Sequence, residues 1–253
     1  MPQSDSSAER AGKPADGEAA GDQPLAELAL GRVRHEILMC RLAPGQRITE
    51  RGLAAEFGLG LSAVRDALTR LDQEGLILTL PRKGYRVAPL TLKLVDDLFG
   101  YWVLLGPEII RRAVVSASDE QLQELLALNS ALDAGVVPGE EEATRQSLLR
   151  ALDASIRMFT VMAGITGNRY LIDGHRRILG ELGRVWRLVI QSELDELGGR
   201  VLSLQQGAAV IEARDAEGCA EFLRAHIEKS HERVLRMLIR WPSVVGTEIM
   251  PIT

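Results

Sequence analysis

The sequence predicts a mainly α protein: a winged helix-turn-helix over residues 25–90, followed by an all-helical bundle over 91–241. Three observations carry that prediction. Leu53 to Gly75 reads as two short amphipathic helices joined by a glycine turn. Leu76 to Val87 reads as two strand-like runs around Pro81-Arg82-Lys83-Gly84. From Leu92 onward the placeable segments have helical periodicity, in a 253-residue chain with 46% hydrophobic, 26% charged and only 4% aromatic residues. That balance is ordinary for a globular protein, and the length allows two cores.

Taken in order, residues 1–24 are rich in Ala, Gly, Ser, Asp, Gln and Pro with almost no large apolar side chain, and predict a disordered tail. A helix follows through Leu25, Leu28, Val33, Ile37 and Leu38, ending near Leu42. Ala43-Pro44-Gly45-Gln46 is turn chemistry, Ile48 a short strand residue, and Thr49 an N-cap for the helix holding Leu53, Ala54 and Phe57. Gly58 and Gly60 tolerate the positive φ of a sharp turn. The next helix puts Val64, Ala67, Leu68 and Leu71 on one face and Ser62, Arg65, Asp66, Thr69 and Arg70 on the other.

Such a second helix can enter the DNA major groove by its N-terminus. A plain surface hairpin is the alternative, and the wing decides against it: Arg82, Lys83 and Arg86 stand where they could meet phosphates or the minor groove. Charge agrees. The whole chain is −5, yet residues 25–90 hold ten Lys and Arg against seven Asp and Glu, a balance of +3.

Beyond the wing, Leu92 to Val115 is helical with a kink or break expected at Gly106-Pro107. Ser118-Asp119-Glu120-Gln121 opens the next helix as a capping box. Residues 135–141 read as a loop, then 142–164, 168–195, 199–213 and 216–240 as helices, with a break at Asp215 and a C-terminal tail over 242–253. Cys40 and Cys219 lack CxxC spacing, which predicts a reduced, cytoplasmic setting. No apolar run has the length of a membrane span, so no membrane partner is expected. The histidines (His35, His175, His226, His231) show no metal spacing, and there is no GxSxG, Walker or GxGxxG text, so no enzyme is expected.

The stretch PGQRITERGLAAEFGLGLSAVRDALTRLDQEGLI, ending in PRKGYRV, resembles the N-terminal domain of GntR-family transcriptional regulators. Pro44, Gly45, Glu50, Leu53, Ala54, Gly58, Val64, Arg65, Ala67, Leu68, Leu71, Glu74, Gly75, Leu76 and Gly84 carry the match. The resemblance implies a sequence-specific DNA-binding regulator, a repressor, whose partners are a double-stranded DNA operator, a small-molecule effector and a second copy of the chain. The DNA-reading residues it implies are Arg51, Leu61, Ser62, Arg65, Arg70, Arg82, Lys83 and Gly84. One departure stands out: the family's Ser-Arg pair opening the recognition helix is Gly60-Leu61 here, so Leu61 makes an apolar contact or the reading shifts to Arg51, Arg65 and the wing.

The helical region resembles the FCD effector domain of FadR-like members through VDDL at its start, AGITGNRYL over 163–171 and ARDAEGCAEFLRAHIEKSHERVL over 213–235. Many such domains hold a divalent metal with one Asp and three His. Counting from Gly167-Asn168 and Asp215, those positions become Ser155, Phe159, Leu204 and His226, and the effector-holding arginine of the first helix becomes Trp102. The resemblance therefore implies no metal and no other cofactor. His226 reads as a core histidine or a pocket group. Trp102, Ser155, Phe159, Leu204 and His226 either line a pocket for an apolar or aromatic effector or fill it, leaving a ligand-independent DNA-binding or interaction module.

Overall fold

The computed structural model describes residues 19–134, 141–192, 205–239, 244–245 and 248–249. The chain falls into two compact units: the first runs to Arg34 and resumes over Ile48–Tyr85, and the second comprises His35–Arg47 and Arg86 onward.

The first unit takes most of α1 (Ala19–Leu38), then α2 (Glu50–Phe57), α3 (Leu61–Gln73) and β2 (Ile77–Leu80). With β1 (Arg47–Ile48) and β3 (Gly84–Val87) the wing makes a three-stranded sheet in the order β1-β3-β2. Helix α1 begins at Ala19, inside the stretch read as tail. Thr49 caps α2 as expected, its Oγ1 accepting from the Gly52 N–H at 3.1 Å. Of the two turn glycines only Gly58 needs the left-handed region (φ 65°), while Gly60 is extended at φ −66° and serves as N-cap of α3.

The apolar face of α3 is buried as the periodicity requires: Val64, Ala67, Leu68 and Leu71 are buried, as are Leu30 and Val33 of α1 and Leu53 of α2. Burying each leucine or valine contributes about 1.5–3 kcal/mol. Asp72 then ties α3 to the wing, accepting from the backbone N–H and the hydroxyl of Thr79 at 3.1 and 3.0 Å. Gly84, at φ 84°, lies where an added Cβ would meet the Ile48 carbonyl oxygen at 3.0 Å, so β3 approaches β1 closely only through a glycine.

The second unit contains α4 (Leu92–Ser116), α5 (Asp119–Ala134), α6 (Glu141–Ile165), α7 (Arg169–Ser192), α8 (Gln205–Glu212) and α9 (Ala216–Ile239). The residues read as a C-terminal tail supply β5 (Val244–Val245) and β6 (Glu248–Ile249), and β6 pairs antiparallel with β4 (Leu90–Thr91), Leu90 opposite Ile249. That pairing joins segments far apart in the chain, which local composition does not reveal. The 135–140 loop, the 199–204 part of the predicted helix and the last residues of the predicted 168–195 helix lie outside the described residues.

Of the kink or break expected at Gly106-Pro107 the break is corrected, since α4 runs through it as one helix. Pro107 has no N–H to give the Val103 carbonyl one turn back, and the Arg224 guanidinium of α9 donates to that carbonyl at 3.4 Å instead. Gly106 lets the two helices close up: a Cβ there would sit 3.1 Å from Trp102 Nε1 and 3.2 Å from Ile227 Cδ1. The capping box at α5 forms reciprocally, Gln121 N–H to Ser118 Oγ at 3.2 Å and Ser118 N–H to Gln121 Oε1 at 2.9 Å. Asp215 likewise caps α9 by accepting from the Gly218 N–H at 3.0 Å.

Helix α7 is buried on all sides from Leu182 to Ile190, which makes it the centre of the bundle. Two arginines share that burial. Arg184 is fully buried and donates to the Ala88 carbonyl and to Glu181, each at 2.8 Å. The Cys40 thiol donates to the Arg184 carbonyl at 3.6 Å.

Candidate nucleic-acid interface and helical cavity

In the first unit, a triad organises the DNA-reading candidates. Glu50, the first residue of α2, accepts from Arg65 Nε and Nη2 at 3.1 and 2.9 Å, and from the Tyr85 hydroxyl at 3.0 Å. One carboxylate therefore gathers the start of α2, the exposed face of α3 and the returning strand of the wing. The bond from Arg65 holds the Glu50 carboxyl below the usual carboxylate range. Burial, with the Glu50 bond behind it, raises the Tyr85 phenol.

Around the triad, Arg51, Ser62, Arg82 and Lys83 are exposed, and Leu61 presents an exposed side chain at the first turn of α3. Arg82 stands in the left-handed region at φ 64°. The Lys83 N–H donates to the Leu80 carbonyl at 2.9 Å, so Pro81 and Arg82 are the two corner residues of a tight turn. A side chain other than glycine at this corner costs about 1 kcal/mol, and it puts a guanidinium at the wing tip. Arg70 is placed differently from the rest, at the other end of α3, ion-paired with Glu27 of α1. The Glu50–Tyr85 link was not foreseen from sequence, although Glu50 and Arg65 are both among the family-matching positions.

In the second unit, Trp102 of α4, Ser155 and Phe159 of α6 and His226 of α9 line one cavity of about 20 Å³, closed on the far side by Leu182, Gly183 and Trp186 of α7. Leu204, counted with them from sequence, lies outside the described residues. The space suits about one water molecule. Trp102 and Phe159 meet edge to face at 5.4 Å and 88°. Burial, then Arg233 and Lys229, push the His226 imidazole down to about 4, so it is neutral in the cavity wall. No charged side chain lines this cavity among the described residues.

The hydroxyls of Ser155 and Ser230 and the single imidazole of His226 do not fit a divalent ion, which needs several anionic or imidazole donors converging. Among the described residues no three His, Cys, Asp or Glu groups gather as such a set. Asp153 points away from the cavity side of Ser155 and pairs with Arg187. Sequence reading missed His175, fully buried on α7, whose two ring nitrogens find no hydrogen-bond partner among the described residues. Its ring stands edge-on to Phe159 at 6.2 Å.

A second void of about 10 Å³ lies between α5, α6, α8 and α9, walled by Asn129, Met158, Phe159, Cys219 and Phe222.

Comparison with known proteins matches residues 25–87 to the family model described as bacterial regulatory proteins, gntR family, and residues 97–229 to that of the FCD domain. The chain is 26% identical over 220 residues to an uncharacterized HTH-type transcriptional regulator, BphR, of Paraburkholderia xenovorans, covering 83% of this chain and 85% of that one. It is 24% identical over 211 residues to the HTH-type transcriptional repressor GlaR of Escherichia coli, covering 77% and 89%. In fold it is similar to McbR/YncC of E. coli, with a TM-score of 0.71 at 18% identity, over 84% of this chain and 98% of that one.

Proposed function

The chain belongs to the GntR family of bacterial regulatory proteins and is a transcriptional regulator with an FCD domain, not an enzyme, and from that premise we propose that it is a cytoplasmic repressor. In this reading it binds a double-stranded operator as a homodimer and releases it when a small apolar or aromatic metabolite enters the cavity of the helical unit. Arg51, Leu61, Ser62, Arg65 and the wing residues Arg82, Lys83 and Gly84 make the DNA contacts, while Arg70 braces α3 against α1. A two-fold dimer matches a palindrome-like site, because one winged unit reads few base pairs.

The observation that carries the effector half is the cavity itself. Trp102, Ser155, Phe159 and His226 come from three helices to one apolar wall with a few neutral polar groups, the composition of a small-molecule site. A second reading draws on the volume. With about 20 Å³ free, the side chains fill the site and the protein acts without a ligand. One experiment decides between them. A selected operator duplex is titrated with protein in the presence of a panel of neutral aromatic compounds, with melting temperature measured in parallel. The sensing reading expects a compound that raises the melting temperature by mass action and weakens operator binding. If no compound does both, the ligand-independent reading stands. Light scattering at working concentration should give a dimer, and a monomer occupying one site per duplex would overturn that part.

A further inference from the structure

We infer that the outer face of α4, centred on Gly100, Tyr101 and Leu104, is where a second copy of this chain docks, helix against helix across a two-fold axis. This deepens the homodimer reading above and rests on it. Among the described residues of the helical unit, the exposed large apolar side chains are Tyr101, Leu104, Val115, Tyr170 and Ile239, and three of these fall together. Leu104 lies one turn after Tyr101 on α4. The Tyr101 hydroxyl lies over Gly174 of α7, where an added Cβ would stand 3.4 Å from it, and Tyr170 occupies the turn of α7 just before Gly174. Leu104 and Tyr170 are 71% and 77% exposed, so the chain itself leaves this patch open. Val115 continues the same side of α4, about three turns beyond Leu104.

Gly100 is a second, independent observation. It stands in mid-helix on the exposed side of α4, where glycine is less favourable than alanine. A Cβ there would meet nothing within 4 Å, so no packing inside the chain accounts for its absence. The approach of another helix does, because bare backbone lets two helix axes come close. Charge selects the partner. On the N-terminal side of the patch Lys93 pairs with Asp97 at 2.7 Å, and on the C-terminal side Glu108 pairs with Arg112 at 2.6 Å. Each end of the stripe is therefore neutral and displays both signs. In an antiparallel two-fold pair the Lys93–Asp97 end of one copy faces the Glu108–Arg112 end of the other, and cation can meet anion at both ends. A nucleic acid or an acidic protein would call for a face of one sign. Tyrosine at the centre with charge at the rim is the make-up of a protein interface.

The test is sedimentation equilibrium of the full chain, with helix content followed by circular dichroism. The parent should dimerise. Leu104→Glu should weaken the dimer by about a hundredfold or more, and Gly100→Leu by about tenfold or more, each with the parent's helix content. Leu28→Glu, at an exposed leucine of the first unit, should dimerise as the parent does. Position 100 supplies a readout that plain surface would not. On an unpartnered helix face leucine is favoured over glycine, so a weaker dimer reports a neighbour that came close. Parent-like dimerisation of either Leu104→Glu or Gly100→Leu, or equal weakening by Leu28→Glu, overturns this face and leaves the homodimer reading standing. A monomeric parent at working concentration overturns both.

Discussion

Glu50 holds Arg65 with both carboxylate oxygens, so the guanidinium on the recognition helix is aimed before any DNA arrives. The grip occupies Nε and Nη2 and leaves the remaining edge of the fork turned outward. A pre-oriented side chain loses less conformational freedom on binding than a loose one. The exposed pair itself adds little to stability.

Arg65→Ala should therefore weaken operator binding about ten- to a hundredfold while the melting temperature stays nearly constant. Glu50→Gln keeps the arginine and loosens its aim, and is expected to give a smaller loss of the same sign. Anisotropy titration of labelled operator with both variants measures this. Parent-like affinity for Arg65→Ala would mean the reading face of α3 lies elsewhere.

Arg82 at the wing tip opposes stability to binding. Arg82→Gly relieves the left-handed strain, about 1 kcal/mol, and should raise the melting temperature by about 2–4 °C in a chain of this size. The same change removes a wing cation and should lower operator affinity and its salt dependence. A variant both less stable and equally tight on DNA would contradict the placement.

His175 makes stability fall in mild acid. Burial pushes its imidazole from the ordinary 6.5 down to about 4. Between those values the unfolded chain takes up a proton that the folded chain refuses, so stability drops as pH falls through this window. At pH 5 the loss is about 2 kcal/mol relative to neutral pH. His226, pushed down to about 4 as well, adds a loss of the same sign. Urea midpoints for the parent and His175→Leu at pH 7 and 5 check this, and the variant should lose distinctly less. Equal losses would exclude His175 as the source.

Gly106→Val should destabilise the helical unit by about 1–3 kcal/mol through overpacking, because even a Cβ at this position comes within 3.1 Å of Trp102. Thermal unfolding measures it, and an unchanged melting temperature would mean α4 and α9 can separate freely there.

What was legible in the sequence was mostly local. Thr49 and the Ser118–Gln121 box cap helices through neighbours three residues away, and each forms as its spacing implies. Trp102, Ser155, Phe159 and His226 are gathered by the resemblance to the FCD domain, the last three counted from Gly167-Asn168 and Asp215, and the structure brings these four to one cavity. What escaped depends on distant partners. β6 needs Leu90–Thr91, Arg184 needs Ala88, and the Glu50 carboxylate that holds Arg65 also accepts from Tyr85 of the wing. Asn129 is a further case: nothing in LALNSAL marks its side chain as buried, which only the packing of α5 on the bundle reveals.

Pro107 and Arg224 form a compensated pair, one removing a main-chain donor and the other replacing it from a different helix. An ordinary residue at 107 would satisfy the Val103 carbonyl by itself and release position 224 from that duty. Across descendants of a common ancestor the two positions should therefore change together. A proline gained before the arginine would be a costly intermediate, and an arginine gained first a harmless one, so the order of the two substitutions in the lineage is constrained as well.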